Sequence, residues 1–128
     1  MPVRILYVDD EDDIREVAQM SLELDPEFEV RCSSSGAEAL TDAADWQPHL
    51  ILLDVMMPDM DGPETLKRLA DSPLTASIPV AFITARTQTH QVERYLVMGA
   101  VGVIAKPFDP MALAAEVKNL LPRRAGPA

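Results

Sequence analysis

Cysteine is close to absent from this sequence. The 128-residue chain has one, Cys32, and a lone thiol cannot close an internal disulfide; a reducing compartment and a role as a small core residue are the expectations. Basic charge is also scarce. Eleven Lys and Arg against 21 Asp and Glu leave a net charge of -10, which opposes binding to a phosphate backbone, so no direct nucleic-acid partner is expected. No apolar run approaches the ~18 to 20 residues of a membrane span. The opening MPVRILYVDD passes from one Arg into a strand-like segment, with neither the long apolar core nor the small-residue cleavage site of a signal peptide. A soluble, cytoplasmic protein without membrane attachment is expected. Histidine is represented by His49 and His90 alone. They lie far apart, without the cysteine or carboxylate spacing of a zinc site.

What is present is a regular alternation. Short apolar runs at Val3 to Val8, Phe28 to Cys32, His49 to Leu53, Val80 to Thr84 and Gly102 to Ala105 read as strands covered on both faces. Between and after them lie stripes at helical spacing: Ile14, Val17, Ala18, Ser21 and Leu22; Ala37, Ala39, Leu40 and Ala43; Thr65, Leu66 and Leu69; Val92, Tyr95 and Leu96; and Met111, Leu113, Ala114, Val117, Leu120 and Leu121. Asp109 before Pro110 reads as an N-cap with proline at the first helical position, Ser35-Gly36 opens the second helix, and Gly99 falls where the fourth should stop. Five strand-helix alternations predict a doubly wound α/β domain, a five-stranded parallel sheet with helices on both faces. One domain over residues 1–122 and a frayed tail over 123–128 are expected, with nothing left over for an output domain; a stand-alone domain is the leading expectation and a fragment of a larger protein the alternative.

The stretch LLDVMMPDMDG, residues 52–62, sets a physical problem. An apolar strand ends on a carboxylate, Asp54, with no base beside it, and an ionised group next to a core is costly unless paired. In an open parallel sheet the ligand crevice lies beyond the carboxyl ends of the strands. The residues closing those strands are Asp9, Asp10 and Glu11, then Asp54, Thr84 and Lys106. Taken singly each has a plain explanation: helix-capping acids, a strand-end threonine, a solvated lysine. Together they converge. Two like charges ~4 Å apart repel by roughly 4 kcal/mol at an effective dielectric near 20, so three carboxylates need cations. Lys106 can supply one, and a hard oxygen-loving ion, Mg²⁺ above all, the rest.

VDDE at 8–11, LLDVMMPDMDG at 52–62, ITA at 83–85 and KPF at 106–108 resemble the receiver domain of two-component response regulators, over about Val3 to Leu121. The resemblance implies a flavodoxin-like sheet of order 2-1-3-4-5. It implies that Asp54 accepts a phosphoryl group from a sensor histidine kinase or histidine phosphotransfer protein, for relay or for signalling to a further protein target. It implies Mg²⁺ held by Asp10 and Asp54, by Asp9 largely through water and by the Met56 backbone carbonyl, with Thr84 and Lys106 on the phosphoryl oxygens. It also implies a cis Lys106-Pro107 bond and a switch through Ala85 and its loop. Gly62 is expected to supply a backbone angle that other residues avoid, and Pro58 to stiffen the loop. Receivers commonly carry an aromatic residue three positions before the lysine; here that residue is Val103, so ring rotation cannot carry the signal. No enzymatic turnover is expected beyond the chain's own phosphorylation and dephosphorylation. The rival reading is a Mg²⁺-dependent phosphatase with an aspartyl nucleophile, although phosphatases of that kind usually place a second aspartate where Met56 stands. A flavin-binding module is a weaker rival, for want of a hydroxyl-rich phosphate cradle. Met56 and Arg86 are expected to tune the acyl phosphate lifetime, the Met56-Met57 pair to serve loop and core packing, and Trp46 to pack at the sheet end remote from the site.

Overall fold

The structure, a computed structural model, describes residues 2–121; the tail expected at 123–128 lies outside the described residues. The elements are β1 (Val3–Val8), α1 (Asp12–Glu23), β2 (Phe28–Ser33), α2 (Gly36–Trp46), β3 (Leu50–Asp54), α3 (Gly62–Asp71), β4 (Val80–Thr84), α4 (Thr89–Val97), β5 (Gly102–Ala105) and α5 (Leu113–Leu120). All strand pairs are parallel, in the order β2-β1-β3-β4-β5, which is the flavodoxin-like doubly wound arrangement. The alternating faces of the strands feed two apolar layers. Leu6, Val8, Ile51, Leu53, Val80 and Phe82 pack with Ala39, Leu66, Leu69 and Tyr95 on one side. Ile5, Tyr7, Leu50, Leu52, Ala81 and Ile83 pack with Ala18, Leu22, Leu113 and Val117 on the other. β3 and β4 are buried at every residue, as central strands covered twice must be.

The boundaries depart from the sequence reading in small, explicable ways. β2 runs on to Ser33, and β3 begins at Leu50 because exposed His49 turns its Nδ1 to accept the Arg4 backbone N–H at 2.9 Å. The strand nevertheless ends on Asp54, so the carboxylate belongs to the sheet. Asp109 caps a turn that precedes α5: its side chain accepts the Met111 N–H at 2.9 Å and its carbonyl accepts from Ala112 and Leu113, so the helix starts at Leu113. Four residues of the expected stripes, Val17, Ala37, Leu96 and Met111, face solvent. Each lies at the margin of its stripe, where helical periodicity gives a direction but not the extent of the covering neighbour.

Other expectations hold. Ser35 accepts the Glu38 N–H at 3.1 Å as the α2 cap. Gly99 takes φ +113° after α4, and the N–H groups of Gly99 and Ala100 return to the carbonyls of Leu96 and Tyr95. The Lys106-Pro107 bond is cis. Trp46 is buried beside the start of β1, with the guanidiniums of Arg4 and Arg31 at 5.6 and 4.7 Å from its ring. Cys32 is half-buried, and burial pushes its thiol up despite the opposing charge of Arg15.

Gly62 is corrected in its reason. Its φ is not positive; the loop's left-handed residue is Asp59, at φ 67°. Gly62 is required by close approach, since a Cβ there would sit 2.7 Å from the Asp54 carbonyl oxygen and 2.8 Å from the Val55 Cα. Both neighbours are backbone and cannot swing aside. Gly62→Ala is expected to cost about 1–3 kcal/mol, the usual penalty of overpacking, and to displace the loop behind Asp54. Urea denaturation of the variant measures the first effect, and amide chemical shifts of residues 54–62 the second.

Candidate functional site

The parallel sheet brings the expected residues to one edge. Val8 pairs with Leu53, Asp54 with Ile83 and Thr84 with Ala105, so the ends of β1, β3, β4 and β5 lie side by side. Asp9, Asp10 and Asp54 each place a carboxylate oxygen within 4.8 Å of the others. Asp9 and Asp54 are buried, at 0% and 3% exposure, whereas Asp10 is open to solvent. Lys106 reaches across from β5. Its Nζ lies 2.9 Å from Asp9 Oδ2, 3.4 Å from Asp54 Oδ2 and 3.5 Å from Glu11 Oε1.

The capping explanation for the first acids does not fit. Glu11 occupies the N-cap of α1 without a side-chain capping bond, and its carboxylate faces Lys106 instead. Asp9 spends Oδ1 on the Glu11 N–H at 3.0 Å, and its backbone carbonyl accepts from Arg15 at 2.7 Å. Arg15 also pairs with Asp12, which ties the first turns of α1 to the acidic loop.

The electrostatics follow from burial. Desolvation, followed by the charge of Asp9, pushes the Asp54 carboxyl up to about 6; Lys106 and the Met56 backbone N–H oppose this without cancelling it. Burial alone would lower Lys106, but its hydrogen bond to Asp9 and the charges of Asp54, Asp9 and Glu11 outweigh that and hold it above its ordinary value. The ammonium stays charged. One lysine among this many acids leaves the cluster short of positive charge, and its donors are hard carboxylate oxygens without thiolate or imidazole. That donor set suits a hard divalent cation.

The remaining expected residues take definite places. Thr84 is buried at the end of β4, where its Oγ1 accepts the Arg86 N–H at 3.0 Å and its carbonyl accepts the Lys106 N–H at 2.9 Å. Ala85 follows it, exposed, in a shallow depression shared with Arg86, Thr87, Gln88 and Gln91. Met56 is exposed on the loop after Asp54, while Met57 turns into the core. Gly62 donates its N–H to the Val55 carbonyl at 2.9 Å. Pro107 continues the chain from Lys106, and Val103 is half-buried against the layer that holds Phe82 and Tyr95.

One aromatic residue at the site escaped the sequence reading. Tyr7 is fully buried, and its hydroxyl donates to Asp9 Oδ2 at 3.2 Å. Burial first, then the negative charge of Asp9, raises this phenol well above its ordinary range, so it remains a donor. Its position two residues before Asp9, where β1 runs out into the acidic loop, was the available signal, since residues two apart in extended chain share a face. Tyr95 of α4 packs edge-on against Phe82, ring centres 5.0 Å apart. It brings an aromatic ring from the apolar stripe of α4 into the layer against which Val103 packs, as its helical spacing predicts.

A doubly wound domain with a buried strand-end aspartate, an acidic cluster and one lysine at the carboxyl edge of its sheet defines a recognisable class. The family described as response regulator receiver domain matches residues 5–118, and the chain belongs to it. It is thus a receiver domain of the two-component response regulators. It is 37% identical over 123 residues to response regulator Rre1 of Synechocystis, covering 96% of this chain and 53% of that protein. It is 39% identical to the phosphate regulon transcriptional regulatory protein PhoB of Pseudomonas aeruginosa, with the same coverage. The chain therefore spans about half the length of these relatives. Among solved structures, the chemotaxis protein CheY4 of Vibrio cholerae superposes with a TM-score of 0.86 at 30% identity, over 94% of this chain and 100% of that one. Among the described residues no helix is long and apolar enough to cross a membrane.

Proposed function

We propose that Asp54 accepts a phosphoryl group from a phosphohistidine on a sensor kinase or histidine phosphotransfer protein, in a reaction supported by Mg²⁺. The observation that carries this reading is the placement of Asp54: a buried carboxylate closing a central strand, 3.4 Å from the ammonium of Lys106 and within 4.8 Å of two further carboxylates. An Asp54 carboxylate oxygen attacks phosphorus, the phosphorus–nitrogen bond breaks, and the electron pair leaves with the imidazole. Lys106 balances charge on the phosphoryl oxygens, and the Thr84 hydroxyl, whose oxygen already accepts the Arg86 N–H, donates its own proton to one of them. Asp10, Asp54 and the Met56 carbonyl would hold Mg²⁺ directly, with Asp9 acting through water. Bound there, the ion would neutralise charge on both the carboxylates and the transferring group, which is the main demand of phosphoryl transfer.

The product is a switched state. Drawing Thr84 toward the phosphoryl group would shift Ala85 and its loop, and so the face that α4 presents to a protein target. With Val103 in place of a ring, this loop is the route available. A cytoplasmic setting, no direct nucleic-acid contact and no catalytic turnover toward outside substrates belong to the same reading.

The test separates switch from enzyme. With acetyl phosphate or a phosphorylated kinase domain and Mg²⁺, the chain should take up about one phosphoryl group per molecule. Sustained hydrolysis of small phosphate esters over many turnovers would instead favour the aspartyl phosphatase.

A further inference from the structure

Asp9 is the most enclosed carboxylate of the site, and three donors surround it. Oδ1 accepts the Glu11 N–H at 3.0 Å, while Oδ2 accepts both Lys106 Nζ at 2.9 Å and the Tyr7 hydroxyl at 3.2 Å. Lys106 is meanwhile shared among Asp9, Asp54 and Glu11, with Asp9 the shortest contact. Two of its three ammonium protons are engaged, by Asp9 and Asp54, with Glu11 a looser neighbour at 3.5 Å, and turning the ammonium toward a phosphoryl oxygen puts the Asp9 contact at stake. Giving up Asp9 would leave a fully buried carboxylate oxygen without its cation, a costly arrangement unless another donor remains.

We propose that Tyr7 is a positioning residue for the phosphoryl-transfer site: its hydroxyl holds Asp9 in one orientation and keeps Oδ2 satisfied as Lys106 turns from Asp9 toward the incoming phosphoryl group. The inference rests on the function proposed above. The ring of Tyr7 is locked in the layer beneath α1 and α5, so the hydroxyl stays in place whichever way the lysine points. Being neutral, it satisfies the carboxylate without competing for the phosphoryl group. No other side-chain hydroxyl donates to Asp9 among the described residues.

Tyr7→Phe removes one oxygen atom and keeps the ring. The variant should fold, melt close to wild type with Mg²⁺ present, and bind Mg²⁺ with nearly unchanged affinity by calorimetry. Its phosphorylation rate at saturating acetyl phosphate should fall about tenfold, the factor that one hydrogen bond of about 1.4 kcal/mol supplies. A second readout needs no variant and no turnover. The Tyr7 hydroxyl proton, buried and hydrogen-bonded, should be visible by NMR, and should move downfield when Mg²⁺ and beryllofluoride draw Lys106 away and the Tyr7-Asp9 bond shortens. A hydroxyl proton that does not move, or a variant that reacts at the wild-type rate while wild type reacts normally, would overturn this proposal alone. A wild-type chain that takes up no phosphoryl group would overturn the function on which it rests as well.

Discussion

Without metal, Asp54→Asn is expected to be more stable than the wild-type chain at neutral pH. The Asp54 carboxyl is pushed up to about 6 in the folded chain, chiefly by burial, whereas in the unfolded chain it ionises near its ordinary value of 3.8. A raised carboxyl contributes fully below the unfolded value and loses its contribution as pH rises through the folded one. The loss accrues between about pH 4 and pH 6 and amounts to about 2–3 kcal/mol at neutral pH. Asparagine has nearly the same shape and no proton to lose, so it avoids that loss. Melting curves at pH 7 should place the variant about 5–10 °C higher, and the gap should close near pH 4. Saturating Mg²⁺ should close it from the other side, because the ion relieves only the wild-type repulsion. A gap independent of both pH and Mg²⁺ would mean that Asp54 is not an electrostatically strained group.

The second large effect lies at Lys106. It is the one cation within 4.0 Å of the Asp9 and Asp54 carboxylates among the described residues. Lys106→Met keeps much of the apolar stem and removes the charge, which strands two buried carboxylates. Breaking a buried pair from one side costs about 3–5 kcal/mol, and a loss of that order is expected in metal-free urea melts at neutral pH. Acid should restore part of it by protonating the carboxylates. Mg²⁺ should restore part too, by about 2.7 kcal/mol at 100 times its dissociation constant. A solvated surface lysine would leave stability within about 0.5 kcal/mol of wild type.

These two variants bear on the features that were most legible in the sequence. Asp54 could be found because an apolar strand ending on an unpaired acid is a local contradiction, and the alternation of runs and stripes located its partners at the same end of the sheet. The limits were equally physical. Gly62 was read through dihedral freedom, whereas the fold needs its missing Cβ against the Asp54 and Val55 backbone. Close approach between segments is invisible in one strand of text. Tyr7 looked like an ordinary core residue, because its hydroxyl matters only once Asp9 is known to turn inward. The start of α5 was misplaced because Asp109 and Pro110 suit a capped turn as well as a capped helix. Tyr95 was legible as part of the apolar stripe of α4, whereas its edge-on contact with Phe82 depends on how that helix packs on the sheet.

The two stability effects need only a strained acidic cluster. The central claim is narrower: Asp54 is where the phosphoryl group arrives. The direct measurement is mass spectrometry of the intact chain and of its peptides after incubation with acetyl phosphate and Mg²⁺, for wild type, Asp54→Asn and Asp10→Asn. Wild type should gain one phosphoryl group, carried on the peptide containing Asp54. Asp54→Asn should gain none, and Asp10→Asn should gain it far more slowly but on the same peptide. Labelling of Asp54→Asn to the wild-type level, or a phosphoryl group mapped to Asp9, Asp10 or Asp59 in the wild-type chain, would contradict the account.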